Sequence, residues 1–219
     1  MKTRPVRRSR NADATRLAIL ASARKAFARG GYDGAGLREI GAGAGVTAMM
    51  INRYFGSKEE LFAEVVAGIM ATPIILTEAN LKSGSLGKAL AAGVVQQTRS
   101  GATPLDGFLI MMHSASSSRA AAIARTQIER HYHQQLTAAI AGDLAAPRAA
   151  VVLAVVAGIQ VMRQVIGLSA LAEATPDALL KILTPLFEQL LDPSDPNTTT
   201  GGLERRPPAK TKRIGLPPR

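Results

Sequence analysis

Cysteine is absent from the 219-residue chain, which removes disulfides, thiolate metal sites and cysteine nucleophiles together. Tryptophan is absent too, and aromatic residues reach only 4%. Ala, Leu, Val and Ile must therefore build any core. With few alternating β-branched or aromatic positions, the chain favours helices over strands. Long apolar runs are also scarce. The longest, residues 149–159, is bounded by Arg148 and Arg163 and falls short of the ~20 residues that span a bilayer. No uniform apolar stretch follows the basic N-terminus, so it does not read as a secretory signal. The expectation is a soluble cytoplasmic protein with no membrane partner. Catalytic signatures are missing as well: there is no glycine-rich phosphate loop behind a strand, no nucleophile elbow and no paired-carboxylate constellation. An enzyme is not expected, and no cofactor is implied. His113 stands alone, and His131 and His133 lie two apart, where helical side chains face different ways. No metal site is expected.

What is present starts with apolar content, 47% of the chain, enough for a packed core and too much for wholesale disorder. The net charge of +11 is unevenly placed. Lys2, Arg4, Arg7, Arg8 and Arg10 fall within the first ten residues, which contain no acid, and six basic residues face three acids from Asp192 onward. Basic tails on a nearly neutral body point to an anionic partner, nucleic acid being the commonest. Tails that merely solubilise are the alternative.

The pattern along the chain is helical throughout. Ile19, Leu20, Ala23, Ala26 and Phe27 share one face of a first helix over residues 12–29, which Gly30-Gly31 should stop. A short helix over 37–44 ends at Gly45, and Thr47 caps another that reaches Tyr54 or Phe55. Ser57 and Glu60 form a capping box for a longer helix that Pro73 should end. Further helices are expected over 86–99, from Thr103-Pro104 through Met112, over 118–141 and over 146–167. The last is capped at Thr175 and ends near Leu191. Residues 149–166 are apolar on almost every side, including Val151, Val155 and Ile159, and such a helix must be buried on every side. The last helix carries a stripe of Leu179, Leu183, Leu186 and Leu190. A chain of this size has little else to cover both, so a homodimer interface is the simplest sink. Residues 1–11 read as a disordered basic arm and 193–219 as a disordered basic tail.

A short helix, a Gly45-Val46 turn and a second short helix, braced before and after, make a tri-helical helix-turn-helix. The stretch GYDGAGLREIGAGAGVTAMMINRYFGSKEELF resembles the DNA-binding signature of the TetR family. The shared features are the Gly-Tyr turn, Arg-Glu-Ile in the second helix, Ala-Gly-Val before the recognition helix and the closing Tyr-Phe-x-Ser-Lys-Glu-x-Leu-Phe. The stretch PRAAVVLAVVAGIQVMRQVIGLSALAEATPDALLKILTPLFEQLL resembles, more weakly, one subgroup of that family's regulatory domains. The resemblance implies an all-α fold: a DNA-binding domain over 12–56 and a helical regulatory and dimerisation domain over 57–192, whose last two helices form the dimer's four-helix bundle. It also implies a transcription regulator released from an operator in double-stranded DNA by a small apolar or amphipathic effector. A helical protein-interaction module is the alternative.

On the same basis Arg38 would touch a base edge or phosphate. Thr47, Ala48 and Met49 would open the recognition helix, Arg53 and Tyr54 would lie near the DNA backbone, and Lys58 at the next helix start would suit a phosphate. The chain departs from the family at Gly36, where a Thr or Ser cap is usual, at Gly43, where a cation is common, and at Asn52, where Tyr is usual. Asn52 could grip adenine or rest on a phosphate. Ala48, Met49 and Met50 offer apolar contacts, thymine methyls among them. Arg7, Arg8 and Arg10 could compensate for this thin readout by entering the minor groove or tracking phosphates. For the effector, Phe108, Met111, Met112, Tyr132, Gln160 and Met162 are candidates, with ordinary core packing as the alternative for each.

Overall fold

The computed structural model describes residues 6–99 and 105–191, with side chains from residue 11 onward. The basic tail and the Thr103-Pro104 helix start lie outside the described residues, as do the side chains of Arg7, Arg8 and Arg10. Every element among the described residues is helical: α1 (Val6–Gly34), α2 (Leu37–Ala44), α3 (Ala48–Phe55), α4 (Lys58–Met70), α5 (Glu78–Leu81), α6 (Leu86–Gln97), α7 (Asp106–Ser114), α8 (Ser118–Ile128), α9 (Gln134–Ala139), α10 (Ala145–Gln160), α11 (Ser169–Ala172) and α12 (Pro176–Leu191). A π-turn over Glu129–His133 joins α8 to α9, and another over Val161–Val165 extends α10. The short α5 and α11 have no periodic pattern long enough to be read in the sequence.

α1 begins at Val6, inside the segment expected to be a disordered arm. Residues 6–11 contain neither Gly nor Pro and follow Pro5, which suits the first turn of a helix. Its axis breaks at Gly31, with φ +64°. A side chain there would collide with the backbone carbonyl of His113 on α7. Gly45, with φ +68°, ends α2 in the left-handed conformation that only glycine adopts without penalty.

Two cores follow from these helices. In the first, Ile19, Ala23 and Phe27 of α1 meet Ile40 of α2, Ile51 and Phe55 of α3, Leu61, Phe62, Val65 and Val66 of α4, Ile110 of α7 and Ala120 of α8. Phe62 stands edge-on to both Phe27 and Tyr32, with ring centres 5.0 and 5.1 Å apart. In the second, Leu90 and Val94 of α6 pack with Leu136 of α9, Val152 of α10 and Leu179, Leu183, Phe187 and Leu191 of α12. Tyr132, in the first π-turn, packs against both cores.

The second core corrects one sequence expectation. Leu179 and Leu183 are buried within the chain, because this stripe of α12 seats on α6. They are not available to a partner. Ile182 and Leu186 face outward instead, and Leu190 is half-buried.

Nor is α10 buried on every side by its own chain. Ala149 and Val152 are buried, Val155 and Ile159 half-buried, and Val151 is 47% exposed. With its π-turn the helix runs unbroken from Ala145 to Val165, 21 residues, and its most apolar 18-residue window has a mean hydropathy of 1.8. By length and composition it is therefore able to cross a membrane, contrary to the reading of the shorter run in the sequence. Arg163, at its far end, turns inward and is buried.

Candidate functional site

The turn between α2 and α3 is fixed by local bonds. The Val46 N–H donates to the Gly41 carbonyl at 2.9 Å, and Thr47 caps α3 by accepting from the Met50 N–H at 3.3 Å. Ile51 and Phe55 anchor α3 in the first core, so its opposite face is the one presented outward. Thr47, Met49, Met50, Asn52 and Arg53 are exposed on that side, and Ala48 and Tyr54 are half-buried. Tyr54 packs against the first core.

The cations sort into two groups. Arg16 pairs with Glu64 and lies 5.0 Å from the Phe55 ring centre. Arg24 pairs with Asp106 at 3.3 Å, and Arg29 pairs with Glu39. Glu39 is thus engaged from α1, which leaves its neighbour Arg38 exposed and without an ion pair among the described residues. Arg53 is likewise exposed and unpaired. One guanidinium without an ion pair among the described residues therefore stands on the outward face of α3, and another on the adjoining α2. Lys58 stands at the start of α4 as expected, with its Nζ 4.7 Å from the centre of the Tyr32 ring, a position from which a phosphate contact would share or replace that ring.

Behind this face the helices of the first core are tied together. The Tyr32 N–H donates to Ser114 Oγ at 2.9 Å, and His113 Nδ1 donates to the Ala28 carbonyl at 2.8 Å. Arg119 of α8 pairs with Glu59 at the start of α4. Burial pushes the Tyr32 hydroxyl up, opposed by its hydrogen bond with Arg119. The backbone N–H of Glu59 itself, at the open end of α4, does most to hold its carboxyl below the usual range. This junction of Tyr32, Glu59 and Arg119 escaped the sequence reading, since nothing in spacing alone connects positions 32, 59 and 119.

The match to known families is specific at this point. Residues 19–65, which run from α1 through α4, match the model of the bacterial regulatory proteins of the tetR family. Residues 85–191, from α6 to α12, match a tetracyclin-repressor-like C-terminal domain. The chain belongs to the TetR family. As a TetR-family transcriptional regulator it shares its fold with several solved structures. A TetR-family regulator from Streptomyces coelicolor A3 is 24% identical, with a TM-score of 0.53 over 87% of this chain and 99% of that one. A transcriptional regulator from Rhodococcus sp. Rha1 is also 24% identical, with a TM-score of 0.56 over 80% and 95%. The regulator FadR from Bacillus subtilis, solved with stearoyl-CoA, is 14% identical, with a TM-score of 0.58 over 80% and 97%. Among curated proteins no sequence match was found.

The effector candidates are less coherent than the DNA-facing ones. Met112 and Met162 are 39% and 44% exposed. Met111 packs on the first core, while Phe108 and Gln160 are half-buried. Tyr132 has the most central position, and burial raises its hydroxyl above the ordinary range. An open cleft of about 470 Å³ lies elsewhere, between α1 and α2, lined by residues including Ser22, Lys25, Arg29 and Glu39. The imidazole of His133 bonds the Ala146 carbonyl at 2.9 Å, as His113 bonds Ala28. The sequence reading also missed Arg163, although a cation at the end of a long apolar stretch was a signal for it.

Proposed function

We propose that the protein is a homodimeric, cytoplasmic repressor that binds operator DNA through α2 and α3 and leaves it when a small apolar or amphipathic ligand enters the regulatory helices. The observation that carries this reading is the outward face of α3. It is anchored from behind by Ile51 and Phe55, carries Arg53 beside Arg38 of the adjoining α2, both without an ion pair among the described residues, and is shaped to enter a major groove. A second copy would cover the outer face of α10 and α12, where Val151, Ile182 and Leu186 stand in solvent. Covering that face with protein rather than lipid agrees with Arg163 turning inward onto α6 and with Ala149 and Val152 packing within the chain. The ligand class is supported by chemistry: stearoyl-CoA in the FadR neighbour is amphipathic, and a half-buried Tyr132 among apolar side chains suits such a molecule. Ligand would bias α7 and α8, whose bonds to Ala28, Tyr32 and Glu59 carry the change to the DNA face.

Fluorescence anisotropy with DNA from immediately upstream of the gene tests this. The expected result is salt-sensitive binding tighter than to random duplex, reversed by a long-chain acyl thioester or alcohol. Arg38→Ala should cost about 1–3 kcal/mol in discrimination if it grips a guanine. Equal affinity for upstream and random DNA at every salt concentration would refute the reading.

A further inference from the structure

We propose that Met49 reads the 5-methyl group of a thymine in each half-site, so that recognition at that position depends on a methyl contact rather than a hydrogen bond. The inference rests on the DNA-binding reading above and names the operator feature that the face selects.

Helical residues are 100° apart. With Ile51 and Phe55 buried in the core, Met49 and Arg53 fall on the diametrically opposite edge of α3, one turn apart. Asn52 and Met50 flank that edge. Met49 is 81% exposed, more than any other large apolar side chain among the described residues, whereas Met50 is 38% exposed. Neither core among the described residues includes Met49, whose thioether is held at the tip of this face.

The neighbouring polar groups narrow its role. The Thr47 hydroxyl, two residues before Met49, accepts from the Met50 N–H, and that bond fixes the first turn of α3. Arg53 and Arg38 are free for phosphates or guanine. Met49 itself brings no hydrogen-bond donor and only a weak acceptor. Base edges in the major groove carry donors and acceptors except at C5 of the pyrimidines, and there only thymine projects an apolar group, its methyl. A long unbranched side chain adapts to the position of that group without needing fixed geometry.

The test uses the full-length dimer. A duplex is first selected from a pool with a randomised centre, then resynthesised with deoxyuridine replacing thymidine one position at a time, which deletes only the methyl. One thymidine per half-site should be sensitive, each replacement weakening binding about fourfold, the worth of one buried methyl-sized group of ~0.8 kcal/mol. Met49→Ala, an exposed change that leaves the melting temperature unaltered, should bind the thymidine and deoxyuridine duplexes alike. Met49→Leu should keep the sensitivity. If every deoxyuridine duplex binds as tightly as its parent, or if Met49→Ala stays sensitive at the same position, the inference is overturned while DNA binding stands. Selection of no sequence at all would overturn the DNA-binding reading and this inference with it.

Discussion

Arg163 offers the sharpest test of how the regulatory helices are held together. It lies in the π-turn after α10 and is 7% exposed. Its Nε donates to the Leu171 carbonyl at 3.2 Å, and its Nη1 donates to the Val95 carbonyl and Thr98 Oγ1, both at 2.9 Å. It thereby joins α10 to the C-terminus of α6 and to α11. All three acceptors are neutral. Burial, with Arg99 adding to it, holds the guanidinium below its ordinary range, though it stays protonated at neutral pH. The balance is between desolvating an ion, several kcal/mol, and charge-assisted bonds of ~1.5–3 kcal/mol each. Truncation changes that balance in a predictable way. Thr98 Oγ1 keeps its bond to the Val94 carbonyl at 2.7 Å. Val95 is among the last four residues of α6, whose carbonyls have no partner within the helix, and it would be stranded. Arg163→Met should therefore cost about 1–3 kcal/mol, the desolvation of one unsatisfied buried carbonyl. Arg163→Ala should cost more, by the cavity it leaves. Urea unfolding at one fixed protein concentration measures both, since a dimer's stability depends on concentration. The cycle with Thr98→Val should show non-additivity of at least ~0.5 kcal/mol. An Arg163→Met protein as stable as the parent would mean that desolvation outweighs the three bonds, and the guanidinium would not be a staple.

Three further outcomes are expected. Val151→Glu combined with Leu186→Glu places two charges on the outer face of α10 and α12 and should give monomers or insoluble chain by sedimentation. A parent chain that is monomeric at micromolar concentration would remove the dimer. Replacing Arg7, Arg8 and Arg10 with Gln should lower the slope of log affinity against log salt by roughly 2–5 per dimer, at about 0.9 per phosphate contact; superimposable slopes would reduce the arm to a solubilising segment. The Glu59 carboxyl is held below its ordinary value of 4.5 in the folded chain, so the unfolded chain takes up the proton first on acidification. The associated stability is present above about pH 4.5 and is lost as pH falls through the folded value. Between about pH 5 and pH 3 the parent should lose more stability than Glu59→Gln, and parallel profiles would refute the assignment.

Most of the fold was legible because it is written in local signals. Thr47 and Ser57 cap α3 and α4 as expected, Gly45 ends α2, and Thr175 caps α12, with its Oγ1 accepting from the Ala178 N–H at 3.2 Å. The outward face of α3 was legible too, since Ile51 and Phe55 leave it no other orientation. What was not legible depends on which helix meets which. The stripe of α12 was taken for an interface because periodicity shows that a face is apolar and is silent on what covers it; α6 covers Leu179 and Leu183. The place of Lys58 at a helix start is a local signal, whereas its approach to the Tyr32 ring is a tertiary one. The effector candidates rest on residue type, which does not fix where a side chain sits relative to a cavity.

The first core has a consequence for exchange between regulators. Leu61, Phe62, Val65 and Val66 of α4, Ile110 of α7 and Ala120 of α8 complete the packing around Phe27 and Tyr32, so the DNA reader is not a detachable module. A fragment ending at Gly56 would lay Phe27 open to water and would not hold α3 at its angle. Any chimaera that grafts this reader onto another sensor must carry α4, α7 and the start of α8 with it. No single cut along the chain frees such a graft, because α6, which belongs to the second interior, lies in sequence between α4 and α7, which belong to the first.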